Sequence, residues 1–165
     1  MAGSGNKLEV STPTDTEIRM TRVFDAPRDL VFQAHSSAEH ISKWWGPRKY
    51  EVISAEYDFR PGGKWRILHR GPEGDEHGFR GEFREIVPPE RIVWTFEYEG
   101  APGQIAVETM ALEEHHGKTT LTVISDAGSK EARDAVLQSG MQEGAAETFD
   151  RLDEYLETLG ARTAS

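Results

Sequence analysis

The sequence predicts an α+β domain. A curved antiparallel sheet of about seven strands wraps around a long C-terminal helix, with two short helices after the first strand. Three observations predict it. From Tyr50 to Ser125 the apolar residues recur with period two, and Gly/Pro clusters interrupt them at short intervals. From Lys130 to Leu159 the period changes to three and four, with Leu137, Met141, Ala145, Phe149, Leu152, Leu156 and Leu159 along one stripe. Between the first strand and the later ones, Ile41-Ser-Lys-Trp-Trp-Gly-Pro47 sets two bulky rings against a helix stop.

A chain of 165 residues suffices for one such domain and a buried core. With 36% hydrophobic and 29% charged residues, it reads as globular rather than disordered or membrane-embedded. The formal net charge of -10 repels phosphate backbones, so no nucleic-acid partner is expected. Cysteine is absent, which removes disulfides, thiolate metal sites and cysteine nucleophiles. No apolar run has the length of a membrane span, and the N-terminus lacks the apolar core of a signal peptide. A cytoplasmic setting is the expectation.

Residues 1–15 are small and polar and read as a flexible tail, 16–160 as the domain, and 161–165 as a C-terminal tail. Glu17 to Asp25 alternates through Ile18 and Met20, breaks, and resumes at Val23 and Phe24, which reads as the first strand. Pro27 suits the first turn of a helix that Asp25 is placed to cap, with Leu30, Val31 and Ala34 on one face. Ser37 is placed to cap a second helix that runs to Trp44 or Trp45 and stops at Gly46-Pro47. Strands follow at about 50–59, 63–70, 77–87, 91–98, 105–114 and 118–125. The separators are turn chemistry, such as Pro61-Gly62-Gly63, Pro88-Pro89 and His116-Gly117. Connections this short make an antiparallel meander. One helix is expected from Lys130 to Leu159, weakened at Gly140 and Gly144, where it can bend.

Several motifs stand in a characteristic order. They are Arg22-Val-Phe-Asp-Ala-Pro27 with Val31 and Ala34, then Lys43-Trp44-Trp45-Gly-Pro47, then Asp58-Phe-Arg-Pro-Gly-Gly63 with Trp65. Gly81-Glu-Phe83, Ile86-Val-Pro-Pro-Glu-Arg91 and Thr119 to Ser125 follow, and Gly140-Met141 leads into Asp150-Arg-Leu152 and Tyr155-Leu156. In these the chain resembles the START-like, or SRPBCC, superfamily with its helix-grip fold. Within it, the chain is similar to the branch named after the activator of the heat-shock-protein-ninety ATPase, in its small bacterial form. The resemblance covers about Glu17 to Leu159. It implies binding of a hydrophobic small molecule, such as a lipid, polyketide or aromatic compound. It implies no shared catalytic residue. Enzymes occur in the wider superfamily, and a chaperone partner belongs to a few eukaryotic members. The branch usually has Gly-Trp where this chain has Gly140-Met141, and the smaller, more adaptable Met implies a wider pocket if it faces one.

Period two predicts which side chains face the helix. Trp65, Ile67 and His69 share one side of their strand, as do Phe79, Gly81 and Phe83 of the next. Ile92, Trp94, Phe96 and Tyr98 form a third row, and Ala106, Glu108, Met110 and Leu112 a fourth, beside Leu121 and Val123. Met141, Ala145 and Phe149 close the space from the helix, with Trp44 or Trp45. Adjacent helical residues point about 100° apart, so only one of those two rings is expected to face inward. The candidate ligand-binding residues are therefore Trp44, Trp45, Trp65, Ile67, His69, Phe79, Phe83, Trp94, Phe96, Glu108, Met110, Met141 and Phe149. The same rows serve equally well as ordinary core.

His69 and Glu108 are the polar members of the inward rows. A buried carboxyl is costly unless paired or protonated. The two therefore form an acid–base pair, orient a polar ligand group, bond each other with no further role, or, with a shifted strand register, both face solvent. A cyclase-like or hydrolytic enzyme would use them, whereas a binding module would not need chemistry. No His-x-Glu-x-x-His spacing, Gly-x-Ser-x-Gly elbow or phosphate loop occurs, so no metal, cofactor or catalytic residue is assigned. A third reading is a protein-interaction module with a chaperone partner, which requires a large exposed apolar patch.

Overall fold

A computed structural model describes residues 6–164, with side chains described through Gly160. The strands are β1 (Glu9–Ser11), β2 (Glu17–Phe24), β3 (Glu51–Tyr57), β4 (Lys64–Arg70), β5 (Glu76–Val87), β6 (Arg91–Tyr98), β7 (Ile105–His115) and β8 (Lys118–Asp126). The helices are α1 (Arg28–Ala34), α2 (Ala38–Ile41), α3 (Lys130–Gln138) and α4 (Met141–Ala164). All strands join one open antiparallel sheet in the order β1-β2-β8-β7-β6-β5-β4-β3. The α+β class, the meander and the long C-terminal helix are as the sequence predicts.

β2 pairs with β8 from Glu17↔Asp126 to Phe24↔Thr119, so the first long strand lies beside the last. Register shifts between Val52 and Ser54 of β3, and between Phe83 and Glu85 of β5, insert extra residues. Such bulges bend a sheet and increase its twist. The sequence places Glu9–Ser11 in a tail, but this stretch pairs with β2 and adds an eighth strand. Three residues carry too little alternation to signal a strand, and the pairing satisfies the open backbone edge of β2. The tail expectation for 1–5 and for residue 165 falls outside the described residues, whereas 161–164, expected as a tail, continue α4.

The helix ends follow local chemistry. Pro27 stands at the N-cap of α1 without a side-chain bond. The Arg28 amide instead donates to Glu114 Oε1 of β7 at 2.7 Å, while Asp25 pairs with Lys118 at 3.4 Å. Ser37 caps α2 as expected, accepting from the His40 amide at 3.2 Å. α2 is shorter than the sequence suggests and ends at Ile41. Ser129 caps α3, accepting from the Ala132 amide at 3.1 Å. The single helix expected from Lys130 to Leu159 is two helices. Gly140 adopts φ +84° between them, a left-handed conformation that ends α3 and that glycine adopts without a Cβ clash.

The core lies between the sheet and α4. Ile18, Phe24, Leu121, Leu152 and Leu156 are fully buried in it. The break that the sequence shows in β2 is occupied by Arg22. This residue continues the inward row of Ile18, Met20 and Phe24 and is only 2% exposed. Its guanidinium lies 3.1 Å from Asp150 and 3.7 Å from Asp153, both on α4, and 4.9 Å over the Phe24 ring. A buried arginine between an exposed and a buried aspartate therefore docks the helix on the sheet.

Candidate functional site

Side chains do not fill all of the space between α4 and the sheet. A cavity of ≈ 320 Å³ remains, within the size range of small-molecule sites. Its sheet wall comes from Met20 of β2, His69 of β4, Phe79 of β5, Trp94 and Phe96 of β6, Glu108 and Met110 of β7, and Leu121 and Val123 of β8. α4 contributes Met141, Gly144, Ala145, Thr148 and Phe149, and α3 contributes Val136. His35, Ile41 and the segment Trp44-Trp45-Gly46-Pro47 complete it.

Both tryptophans of the pair line the cavity. The expectation that only one does so assumes helical backbone, and the helix has ended at Ile41. Trp44 is buried; its Nε1 donates to the Ala34 carbonyl at 3.0 Å, and its ring meets His35 edge-on at 4.8 Å. Trp45 is only partly buried and sits among four rings. Its centroid lies 6.0 Å from Trp65, 5.9 Å from Phe79, 6.0 Å from Trp94 and 6.2 Å from Phe96. The loop that presents it is tied to α4. Arg151 donates to the carbonyls of Trp45 at 3.0 Å and Gly46 at 2.8 Å. Arg48 forms an ion pair with Glu154, and its amide donates to Glu147 at 3.0 Å.

Trp65, Ile67 and Phe83 are buried but do not line the cavity, unlike the other candidates. Trp65 stacks on Trp94 at 4.1 Å and donates to the Thr95 carbonyl at 3.2 Å. The indole crosses β5 at Gly81, where a Cβ would stand 2.6 Å from its Nε1. Trp65 therefore backs the wall from behind Trp94. Phe83 belongs to a filled cluster with Tyr57 at 5.0 Å and Phe59 at 5.2 Å. Ile67, between Trp65 and His69 on β4, is fully covered. Period two gives the correct face for these residues, but it does not say where along a strand the packing opens.

His69 and Glu108 both reach the cavity, but they do not pair. Glu108 Oε1 accepts from Trp94 Nε1 at 2.8 Å, and the Ser125 side chain bonds the same carboxyl. Burial raises the Glu108 pKa above the ordinary carboxyl range, and these two bonds only partly offset it. Among the described residues, no cation pairs with it. His69 stacks on Tyr50 at 4.2 Å and meets Phe79 edge-on at 5.1 Å. Burial, and then the nearby His77, lower its pKa to about 4. Its Nδ1 is buried without a hydrogen-bond partner. Gly46 stands over that nitrogen, where a Cβ would lie 2.7 Å away.

Sequence reasoning missed His35. Its Nδ1 lies 2.8 Å from the Val31 carbonyl. A carbonyl can only accept, so Nδ1 carries the proton. Burial lowers the pKa to about 4, so at neutral pH the ring is uncharged and Nε2 presents a lone pair. His35 falls on the face of Val31 and Ala34, four residues after Val31, but a lone polar residue just past α1 belongs to no chemical motif. Met20 was legible only as an apolar residue of the first strand, and Val136 was not part of the predicted stripe. The cavity is thus an aromatic and thioether wall with few polar groups. Among the described residues, no cluster of His, Asp and Glu could hold a metal ion, and no helix is long and apolar enough to cross a membrane.

The family described as "Activator of Hsp90 ATPase homolog 1-like protein" matches residues 25–157. The chain belongs to this family. Solved structures agree. A protein from Rhodobacter sphaeroides is 26% identical, with a TM-score of 0.86 over 92% of this chain and 99% of that one. A protein from Mycobacterium smegmatis is 25% identical, with a TM-score of 0.80 over 90% and 95%. The AHSA1 protein from Silicibacter pomeroyi, at 20% identity, shares the fold with a TM-score of 0.72 over 86% and 98%. No curated protein matches the sequence. Family membership carries the START-like fold, and every residue lining the cavity except Met20 lies inside the matched segment.

Proposed function

We propose that the chain binds a hydrophobic small molecule, of the lipid, polyketide or aromatic class, in the cavity between the sheet and α4. The observation that carries this reading is the ≈ 320 Å³ of space walled by Trp45, Phe79, Trp94, Phe96 and Phe149. Ordinary sheet–helix packing reaches crystal-like density and leaves few voids larger than a water molecule. Open apolar space at the centre of a fold gives up dispersion contacts that larger side chains would supply. A ligand restores those contacts. Aromatic rings and three methionines suit flat or acyl ligands, because rings stack and the thioether adapts its shape.

A thermal-shift screen of lipids and aromatic polyketides tests the reading, run on the wild type and on Ala145→Phe, which places a ring in the cavity. At one hundred times Kd a ligand adds about 2.7 kcal/mol of stability. The expected result is a hit that raises the wild-type Tm and leaves that of Ala145→Phe unmoved. Equal shifts in both proteins, or no hit from either class, would count against it.

A further inference from the structure

The polar groups of the cavity are unevenly matched to possible ligand heads. The carboxyl of Glu108 faces the cavity with no cation beside it among the described residues. The neutral His35 adds a second acceptor, Nε2. Most donors of the wall are already engaged: Trp44 Nε1 on Ala34, Trp94 Nε1 on Glu108, and the Thr148 hydroxyl on Gly144 at 2.8 Å. Among the described residues, no Lys or Arg side chain lines the cavity. The Arg151 guanidinium on α4 holds the carbonyls of the Trp45–Pro47 loop. Aromatic faces carry negative potential, so they attract cations and repel anions. A net charge of -10 adds to that bias.

We propose that the cavity selects ligands whose polar head donates hydrogen bonds or carries positive charge, such as an amine or hydroxyl on an aromatic ring system. The head sits at Glu108, and carboxylate heads are excluded. This rests on the cavity being the binding site, and it narrows the ligand class within that reading. An amine at Glu108 gains a charge-assisted hydrogen bond where the protein supplies no competing cation. A carboxylate there is desolvated against the Glu108 carboxyl and the aromatic faces, with no Lys or Arg side chain among the described residues of the wall to offset the cost.

Isothermal titration at pH 7 with 1-naphthylmethylamine, 1-naphthylmethanol and 1-naphthaleneacetate tests this on one ring system with three heads. The amine and the alcohol are expected to bind, and the acetate to bind at least about tenfold more weakly than the amine. In Glu108→Gln, which keeps an acceptor for Trp94, amine and acetate affinities are expected to converge within about threefold. Acetate binding as tight as amine binding in the wild type overturns the proposal, as does a preference that survives Glu108→Gln. The wild-type ranking decides the matter alone if the variant does not fold. If all three bind without preference and Ala145→Phe blocks them, the cavity reading stands and the head-group proposal fails. If none binds, the head-group proposal fails, and the lipid and polyketide screen decides the cavity reading separately.

Discussion

Gly46 and His69 set each other's conformation. Gly46 has φ +86°, and the space its Cβ would occupy is filled by the His69 ring. Gly46→Ala adds both a left-handed strain and a contact with an aromatic ring held by Tyr50. It is expected to lower stability by about 1–3 kcal/mol, read by urea denaturation. His35 gives a pH signature. Its pKa falls from 6.5 to about 4 on folding, chiefly through burial. The unfolded chain takes up the proton first, so His35 costs no stability above pH 6.5. As pH falls from 6.5 to about 4, stability is lost, on the order of 3 kcal/mol. Glu108 has the opposite sign: its raised pKa means the folded state takes the proton first, so acidification through that pKa adds stability. His35→Asn removes one titrating ring and is expected to reduce the loss of stability between pH 6.5 and 4, with His69, shifted in the same direction, keeping part of it; urea denaturation in a pH series measures it.

α4 is held by two arginines that the hydrophobic pattern assigned no role. Arg22 ties it to β2 through Asp150 and Asp153. Arg22→Met leaves the buried Asp153 carboxyl, already raised in pKa by burial, without its cation. It is expected to cost about 3 kcal/mol in urea denaturation. Arg151 ties α4 to the loop of the two tryptophans. Arg151→Met is expected to speed amide hydrogen exchange at Trp45 and Gly46 and to weaken ligand binding. The elements themselves were largely legible, because strands of eight or more residues repeat their period several times. β6, predicted at 91–98, spans Arg91–Tyr98. What the pattern missed has physical causes. β1 is too short to show a period, Arg22 interrupts the apolar count where an ion pair replaces it, and Gly140 reads as a weak helical residue until its positive φ is known.

For the molecule as a whole, the inward rows were legible and the cavity was not. Alternation assigns Phe79, Trp94, Phe96, Glu108 and Met110 to the face beneath α4, and the structure places them there. It assigns Trp65 and Phe83 to the same face, where neighbours cover them completely. Whether a row packs tightly or opens depends on the distance between helix and sheet. The Arg22 ion pair, the Arg151 loop contacts and the break at Gly140 all bear on that distance, and all are long-range or conformational features. The three methionines of the wall, Met20, Met110 and Met141, stand on β2, β7 and α4. Their methyl groups report on the cavity from both sides. Labelling the methionine methyls with ¹³C and titrating 1-naphthylmethanol, followed by NMR, tests the central claim most directly. Ligand in the cavity predicts that the Met20, Met110 and Met141 resonances shift together along one saturable curve. If those three resonances stay fixed while the ligand binds, the cavity is not the site.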